Sequence, residues 1–313
     1  MVNKKKYRIT LSTFVSEFLE YSEGIYRPKT IATYRSAFNE FIRYVGDKRL
    51  IDISVRDAEM FTSHKINTVS HHTARRCYLH LSSAFGTAVR WEYLSKNIWR
   101  SVTKPRVPEI VPAHLDRKEL SKLLEHIPDR DFRDLILFAV MTGMRSGEIL
   151  SLRWRNIDLK SRLIHIRNSD GFVTKSKKSR SAPVADSLYN ILISRNSSAE
   201  YVFVTNKGQP FKQNYVSKKF KEYVRKAGLD DRLRFHSLRH SAATLMIKSG
   251  VSIYDVSKIL GHSSVQVTER YLHVVSAELH SAVNKILPIE NFTINNTVPT
   301  NDKINQRVEE YGT

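Results

Sequence analysis

The stretch VTKPRVPEIVPAHLD, residues 102–116, decides how the chain is to be read. Pro105, Pro108 and Pro112 follow one another closely. Each removes a backbone donor and holds its predecessor in an extended conformation, so neither a helix nor a central strand runs through them. An extended linker over residues 105–115 is expected, with one domain over 1–104 and a second over 116–290.

Backward from the linker, everything reads as helix. TLSTFVSEFLEYSE spaces Leu11, Val15, Phe18 and Leu19 at helical intervals. PKTIATYRSAFNEFIRYVG opens on Pro28 and closes at Gly46, with Ile31, Tyr34, Phe38, Phe41 and Ile42 along one face. SVRDAEMFTSHK begins with a capping box of Ser54 and Asp57. SHHTARRCYLHLSSAFGTAVRWEYL supplies a longer helix, in which Cys77 reads as buried filler.

Forward from the linker the pattern changes. DRKELSKLLEHI and DFRDLILFAVMTG are helical, and the chain turns at Gly143. In RLIHIRNSDGFVTKSKKSRSAPVA, residues 162–185, short apolar runs are broken at Asn168–Gly171 and Ser176–Ser179, as in a small three-stranded antiparallel sheet. Helices resume at ADSLYNILIS and continue to about residue 287. The tail, residues 291–313, is polar without a sustained apolar period and reads as mobile. The fold class is therefore mostly α with a small antiparallel β-sheet, an all-α domain preceding an α+β one.

Lys and Arg number 51 against 31 Asp and Glu, a formal charge of +20 on 313 residues. Such an excess points to a polyanionic partner, nucleic acid before a membrane surface. Lys29, Arg35, Arg43, Arg75, Arg76 and Arg90 lie on outer faces of the first domain and are the candidate DNA-facing residues. Any one of them also fits an ordinary solvated face. With a single cysteine, an intramolecular disulfide and a cysteine-based zinc cluster are both excluded. The start, MVNKKKYRIT, lacks the apolar run of a signal peptide, and no run approaches membrane-spanning length. A cytoplasmic protein with no membrane partner is expected.

One feature of the second domain is electrostatically odd. FHSLRHSAATLMIKSG, residues 235–250, places His236 and Arg239 at a helix start, with Leu238, Ala242 and Leu245 on the opposite stripe. Cations belong near helix C-termini, but an anion bound at the N-terminus makes the placement favourable. Arg145, in TGMRSGEIL, repeats the arrangement. His262 follows Gly261 at the end of SIYDVSKILG, which Ser252 and Asp255 cap, and Tyr271 lies nine residues further on. Lys175 sits where two expected strands meet a turn, with Lys177 and Lys178 close by.

The ordered set Arg145, Lys175, His236, Arg239, His262, Tyr271 resembles the tyrosine recombinase (phage integrase) family, in the stretches TGMRSGEILSLRW, TKSKKSR, FHSLRHSAAT and LGHSSVQVTERYLH. The helical domain and linker resemble that family's core-binding domain, so the likeness spans about residues 10–290, and the compact layout is Xer-like. It implies a two-domain clamp on duplex DNA and a 3′-phosphotyrosyl intermediate formed without metal, ATP or other cofactor. The chemistry suits the residue types. Guanidinium forks match the non-bridging oxygens of a phosphodiester, so Arg145 and Arg239 would stabilise charge. Tyr271 would attack phosphorus, with His236 as its base. Lys175, favoured over its neighbours by the family's threonine–lysine pattern, would protonate the leaving 5′ oxygen, and His262 would hydrogen-bond the phosphate. The resemblance also implies four protomers on paired recombination sites, joined by the helix expected over residues 276–288, with a free monomer in solution compatible with that assembly.

Other readings remain open at this level. Arg145 is spaced to pair with Glu148. His236 fits a helix cap, His262 a surface histidine, and His240 a structural contact. Tyr271 fits a core aromatic, although Glu269, Arg270 and His273 around it argue for an exposed or cleft-facing helix. A type IB topoisomerase uses a related residue set, and residues 236–275 also read as the helices of a helix–turn–helix regulator. The site sequence, any accessory protein and the choice among chromosome dimer resolution, integration and inversion are not legible.

Overall fold

The computed structural model describes residues 9–108, 111–167, 179–195, 198–205, 207–262, 264–269 and 271. The chain divides into two compact units, Met1–Ile110 and Val111–Thr313. The division falls inside the proline-bearing stretch.

The first unit is helical. Helix α1 (Leu11–Glu23) starts where the Thr10 hydroxyl accepts the Thr13 N–H, and α2 (Pro28–Val45) has proline in its first turn. Helix α3 (Val55–Thr68) carries the complete Ser54–Asp57 capping box, and Ser70 caps α4 (His71–Arg90). The apolar faces meet in an aromatic core of Phe14, Phe18, Phe38, Phe41, Phe61, Phe85 and Trp99, all fully buried. Phe41 meets Phe61 at 5.0 Å and Trp99 at 5.4 Å, both edge-to-face, the arrangement that ring quadrupoles favour. Cys77 faces this core from α4, and burial pushes its thiol up to about 12, so it is inert filler.

The second unit begins with α5 (Arg117–Glu125), capped by Asp116 and Glu119, and α6 (Arg130–Thr142), capped by Asp129. After α7 (Ser146–Leu150) come strands β1 (Ile157–Asp158), β2 (Leu163–Ile166) and β3 (Arg180–Pro183). They form an antiparallel sheet in the order β1-β2-β3, with Ile157 opposite Ile164 and Ile164 opposite Ala182. Among the described residues the sheet has three strands, and the first of them comes from residues ahead of 162–185. Two residues are too few to show a period, which is why β1 left no trace in the pattern. Helices α8 (Asp186–Ile193), α9 (Gln213–Lys226), α10 (Ser237–Lys248), α11 (Ile253–Leu260) and α12 (Gln266–Glu269) follow among the described residues. Helix α6 packs along α10, and α11 lies against both α10 and β3. Buried Phe138, Phe203, Phe220, Ile164 and Leu238 belong to one continuous core. Among the described residues, no helix is long and apolar enough to cross a membrane.

Candidate active site

Two helix ends and two helix starts converge in the second unit. Helix α6 stops at Gly143, whose φ of +58° is left-handed. A Cβ there would lie 2.2 Å from Leu260 Cδ2 and 3.2 Å from Ala242 Cβ, so glycine lets α6 close against α10 and α11. The Gly143 carbonyl then accepts Arg239 Nη1 at 2.8 Å.

Arg145 is the N-cap residue of α7, and Glu148 resolves the oddity of a cation there. The Arg145 amide donates to Glu148 Oε2 at 2.9 Å, its Nη1 to Oε1 at 3.0 Å, and its Nη2 to the Gly261 carbonyl at 3.1 Å. Arg180 holds the same carboxylate from the far side, Nη1 to Oε1 at 3.0 Å and Nη2 to Oε2 at 2.7 Å. Burial opposes ionisation of Glu148, yet the bonds and charge of Arg180, with Arg145 behind, hold its carboxyl below the usual range. One buried anion thus sets the positions of two guanidinium groups.

Arg239 lies in the first turn of α10 and is only 4% exposed. Burial first, then the charges of Arg145 and Arg180, push its guanidinium down to about 10. Its Nη2 is buried with no hydrogen-bond partner among the described residues. A buried donor left unpaired costs stability, and proteins retain such a cost where a ligand will satisfy it.

His262 follows Gly261, the left-handed stop of α11, and its Nδ1 lies 2.7 Å from Thr268 Oγ1. Burial, then the charges of Arg239 and Arg145, push the imidazole down to about 4. At neutral pH it is uncharged and keeps one ring N–H to donate.

Tyr271 is expected on an exposed or cleft-facing helix, and of these the structure excludes only the solvent-exposed one. It follows α12 and is 4% exposed, packed with Ala243, Ile247, Val256 and Leu260. Glu269, two residues earlier, is exposed and says little about the ring, while Arg270 and His273 lie outside the described residues. The Tyr271 hydroxyl lies 2.5 Å from His240 Nδ1. His240 stands edge-on to His236, with ring centroids 5.1 Å apart. His236 is exposed, and its side chain makes no cap bond. His236 and Arg239, three residues apart, therefore occupy different surroundings, one facing solvent and the other the interior.

Arg145, Arg239, His262 and Tyr271 are thus brought together, with His236 joined through His240. Lys175, Lys177, Lys178, the strand expected near 172–175 and the helix expected over 276–288 lie outside the described residues. Glu148 entered the sequence reading only as a pair for Arg145, and Arg180 was missed. The signal for Arg180 was strand alternation: it shares the inward side of β3 with buried Ala182, and a cation there needs a buried anion. Among the described residues, no group of three His, Cys, Asp or Glu side chains is placed to hold a metal ion.

In the first unit, Lys29, Arg35 and Arg43 are exposed on α2. Arg76 and Arg90 are exposed on α4, and Arg75 is half-buried there. At 3.6 residues per turn, Arg75, Arg76 and Arg90 fall within an arc of about 100°. A groove alongside is lined by Ser82, Ser83 and Arg90 from α4, by Lys96 from the loop beyond it and by Arg100 from the short 3-10 helix Ile98–Arg100. It has no acidic lining residue, and the sequence reading missed Lys96 and Arg100.

The model of the phage integrase family matches residues 113–278, more than half of the chain. The chain belongs to the phage integrase family. This integrase-family chain is 31% identical over 298 residues to the tyrosine recombinase XerA of Pyrococcus furiosus, covering 92% of the chain and 91% of that protein. It is 27% identical over 305 residues to the tyrosine recombinase XerC of Oceanobacillus iheyensis, covering 90% and 98%. Its fold is similar to that of lambda integrase (75-356), solved as a dimer bound to a COC′ core site, with a TM-score of 0.72 at 21% identity over 83% of this chain and 97% of that one. The same score relates it to a lambda integrase tetramer bound to a Holliday junction, over 84% and 80% at 21% identity. The enzyme is a site-specific tyrosine recombinase of the Xer type, and the topoisomerase and regulator readings are not favoured.

Proposed function

We propose that the enzyme binds duplex DNA at a specific recombination site and breaks and rejoins strands through a covalent bond between Tyr271 and a 3′ phosphate. The observation that carries this reading is the buried Nη2 of Arg239, without a partner among the described residues and close enough to Tyr271 and Arg145 to feel their charges. A non-bridging phosphate oxygen is the acceptor that this donor lacks. Arg145 and Arg239 stabilise the charge that grows on phosphorus oxygens during attack, and neutral His262 donates its ring N–H to the same group. His236, expected as the base for Tyr271, stands exposed at the start of α10 and belongs to the same set. Lys175 protonates the 5′ oxygen as it leaves. The phosphotyrosyl bond conserves the energy of the broken phosphodiester, so rejoining needs no ATP, and the arginines supply the charge stabilisation that a metal would otherwise provide.

Residues 1–104 serve as the core-binding domain, 105–115 as the linker, 116–290 as the catalytic domain and 291–313 as the tail. Arg75, Arg76, Arg90, Lys96 and Arg100 supply phosphate contacts in the first of these, together with Lys29, Arg35 and Arg43 on α2. Four protomers act on paired sites in the cytoplasm, a reading supported by the likeness to the tetrameric lambda integrase complex. The deciding experiment uses a nicked suicide duplex carrying the native site. Tyr271→Phe should bind it normally and form no covalent adduct on a denaturing gel, and an undiminished adduct would overturn the assignment.

A further inference from the structure

We infer that His240, the residue after Arg239, takes the proton of the Tyr271 hydroxyl during strand cleavage. The inference rests on Tyr271 being the nucleophile.

The phenol is held on two sides. Ala243, Ile247, Val256 and Leu260 enclose its ring. Its hydroxyl lies 2.5 Å from His240 Nδ1, closer than an ordinary hydrogen bond, which sets the phenolic O–H directly against an imidazole nitrogen able to accept it. His240 is carried by α10, the helix whose first turn supplies Arg239. The charge-stabilising group and the proton acceptor therefore sit on one rigid element, adjacent in sequence. His240 is half-buried, with His236 edge-on to its ring at 5.1 Å. Arg239 and Tyr271 act on each other through charge, and His240 acts in the same way on His262, so all four groups share one field. A phenol is mostly protonated at neutral pH, so attack on phosphorus needs an acceptor at the oxygen. In the step, the Oη–P bond forms as the Oη–H proton passes to His240 Nδ1. The P–O5′ bond breaks, and the 5′ oxygen takes its proton from the general acid assigned to Lys175. In the reverse step, the 5′ hydroxyl attacks and His240 returns the proton to the leaving phenolate.

The test varies the acidity of the phenol and the acceptor independently. Full-length protein is made with tyrosine or 3,5-difluorotyrosine at position 271, each with His, Asn or Ala at position 240, and single-turnover adduct formation is timed on the nicked site. Asn offers an oxygen where Nδ1 stood and so can hold the hydroxyl, but it accepts no proton. With ordinary tyrosine, both His240→Asn and His240→Ala should slow adduct formation by about 100-fold, the scale of general base catalysis, while site binding is unchanged. With difluorotyrosine, a far more acidic phenol that is substantially ionised at neutral pH without a base, both losses should shrink below about 10-fold. A merely structural role gives equal losses in both backgrounds and overturns the inference, as does His240→Asn at the wild-type rate. If His236→Ala shows the acidity-dependent loss instead, the acceptor is His236. Adduct formation undiminished in Tyr271→Phe would overturn the nucleophile itself, a failure distinct from that of His240.

Discussion

Glu148 and Arg180, 32 residues apart, form a two-pronged ion pair in which each guanidinium Nη meets its own carboxylate oxygen, at 3.0 and 2.7 Å. The Glu148 side chain is 1% exposed and the Arg180 side chain 11%. The same carboxylate takes Arg145, whose remaining arm reaches the carbonyl of Gly261 immediately before His262. A single buried anion thereby ties the start of α7, the start of β3 and the turn after α11.

Glu148→Gln should therefore damage stability and chemistry together. It leaves two guanidinium groups without their shared anion, and breaking a buried pair from one side costs about 3–5 kcal/mol. Urea unfolding should show that loss, and adduct formation at saturating DNA should fall even at temperatures where the variant remains folded. Arg180→Lys should cost less, because an ammonium replaces one prong of the fork but cannot reproduce both. If Glu148→Gln unfolds at the wild-type midpoint, the carboxylate does not organise the site.

Acid should weaken the second unit in two stages. The folded state holds His262 down to about 4 against an ordinary value of 6.5, so the unfolded chain binds the proton more readily. Stability is therefore lost as pH falls from about 6.5 toward 4. Glu148 is held below its ordinary value of 4.5, so its contribution is present above 4.5 and disappears as pH falls further. Urea midpoints measured from pH 7 to 4 should decline first through the histidine window, and His262→Asn should flatten that first decline. An equally steep decline in His262→Asn would locate the proton uptake elsewhere.

What was legible in the sequence was local. The Ser54–Asp57 box, Pro28 at a helix start, the left-handed stops at Gly143 and Gly261, and the buried faces of α1 and α2 all announce themselves within one or two turns of chain. Arg145, Arg239 and His262 could be picked out because cations and titratable groups stood at helix boundaries, where they are locally unfavourable. The Arg180–Glu148 pair is invisible to that logic, since each residue is ordinary among its own neighbours. The same is true of Tyr271, whose burial is decided by α10 and α11. His240 looked incidental for a related reason: its contact with Tyr271 arises only where the chain returns at residue 271.

The groove of the first unit makes a quantitative expectation. Each cation that neutralises a phosphate releases counterions and adds about 0.9 to the slope of log affinity against log salt. Replacing Arg90, Lys96 and Arg100 together with alanine should shallow that slope by about 2–3, while leaving cleavage intact at high protein concentration. Replacing Arg75 and Arg76 should shallow it by less than about 2. Filter binding between low and moderate salt measures both, and an unchanged slope in the triple variant would remove the groove from the DNA-facing surface.

Arg239 should show stability and activity moving in opposite directions. Its guanidinium is buried beside two other arginines, only one of its arms has a named acceptor, and Nη2 has no partner among the described residues. In the protein without DNA, that charge is a cost, and Arg239→Met keeps much of the side-chain length while removing it. The thermal midpoint of Arg239→Met should equal or exceed that of the wild type, since a buried charge replaced by an apolar chain of similar length is often neutral or stabilising. Adduct formation should meanwhile fall by at least about 100-fold, the usual loss when a donor to a developing oxyanion is removed. Sulfate at low concentration, below the range in which it stabilises proteins generally, should raise the midpoint of the wild type more than that of the variant, which lacks the buried donor. A variant that unfolds several degrees earlier would mean that Arg239 serves the fold, and one that cleaves at the wild-type rate would mean that the phosphate is held elsewhere.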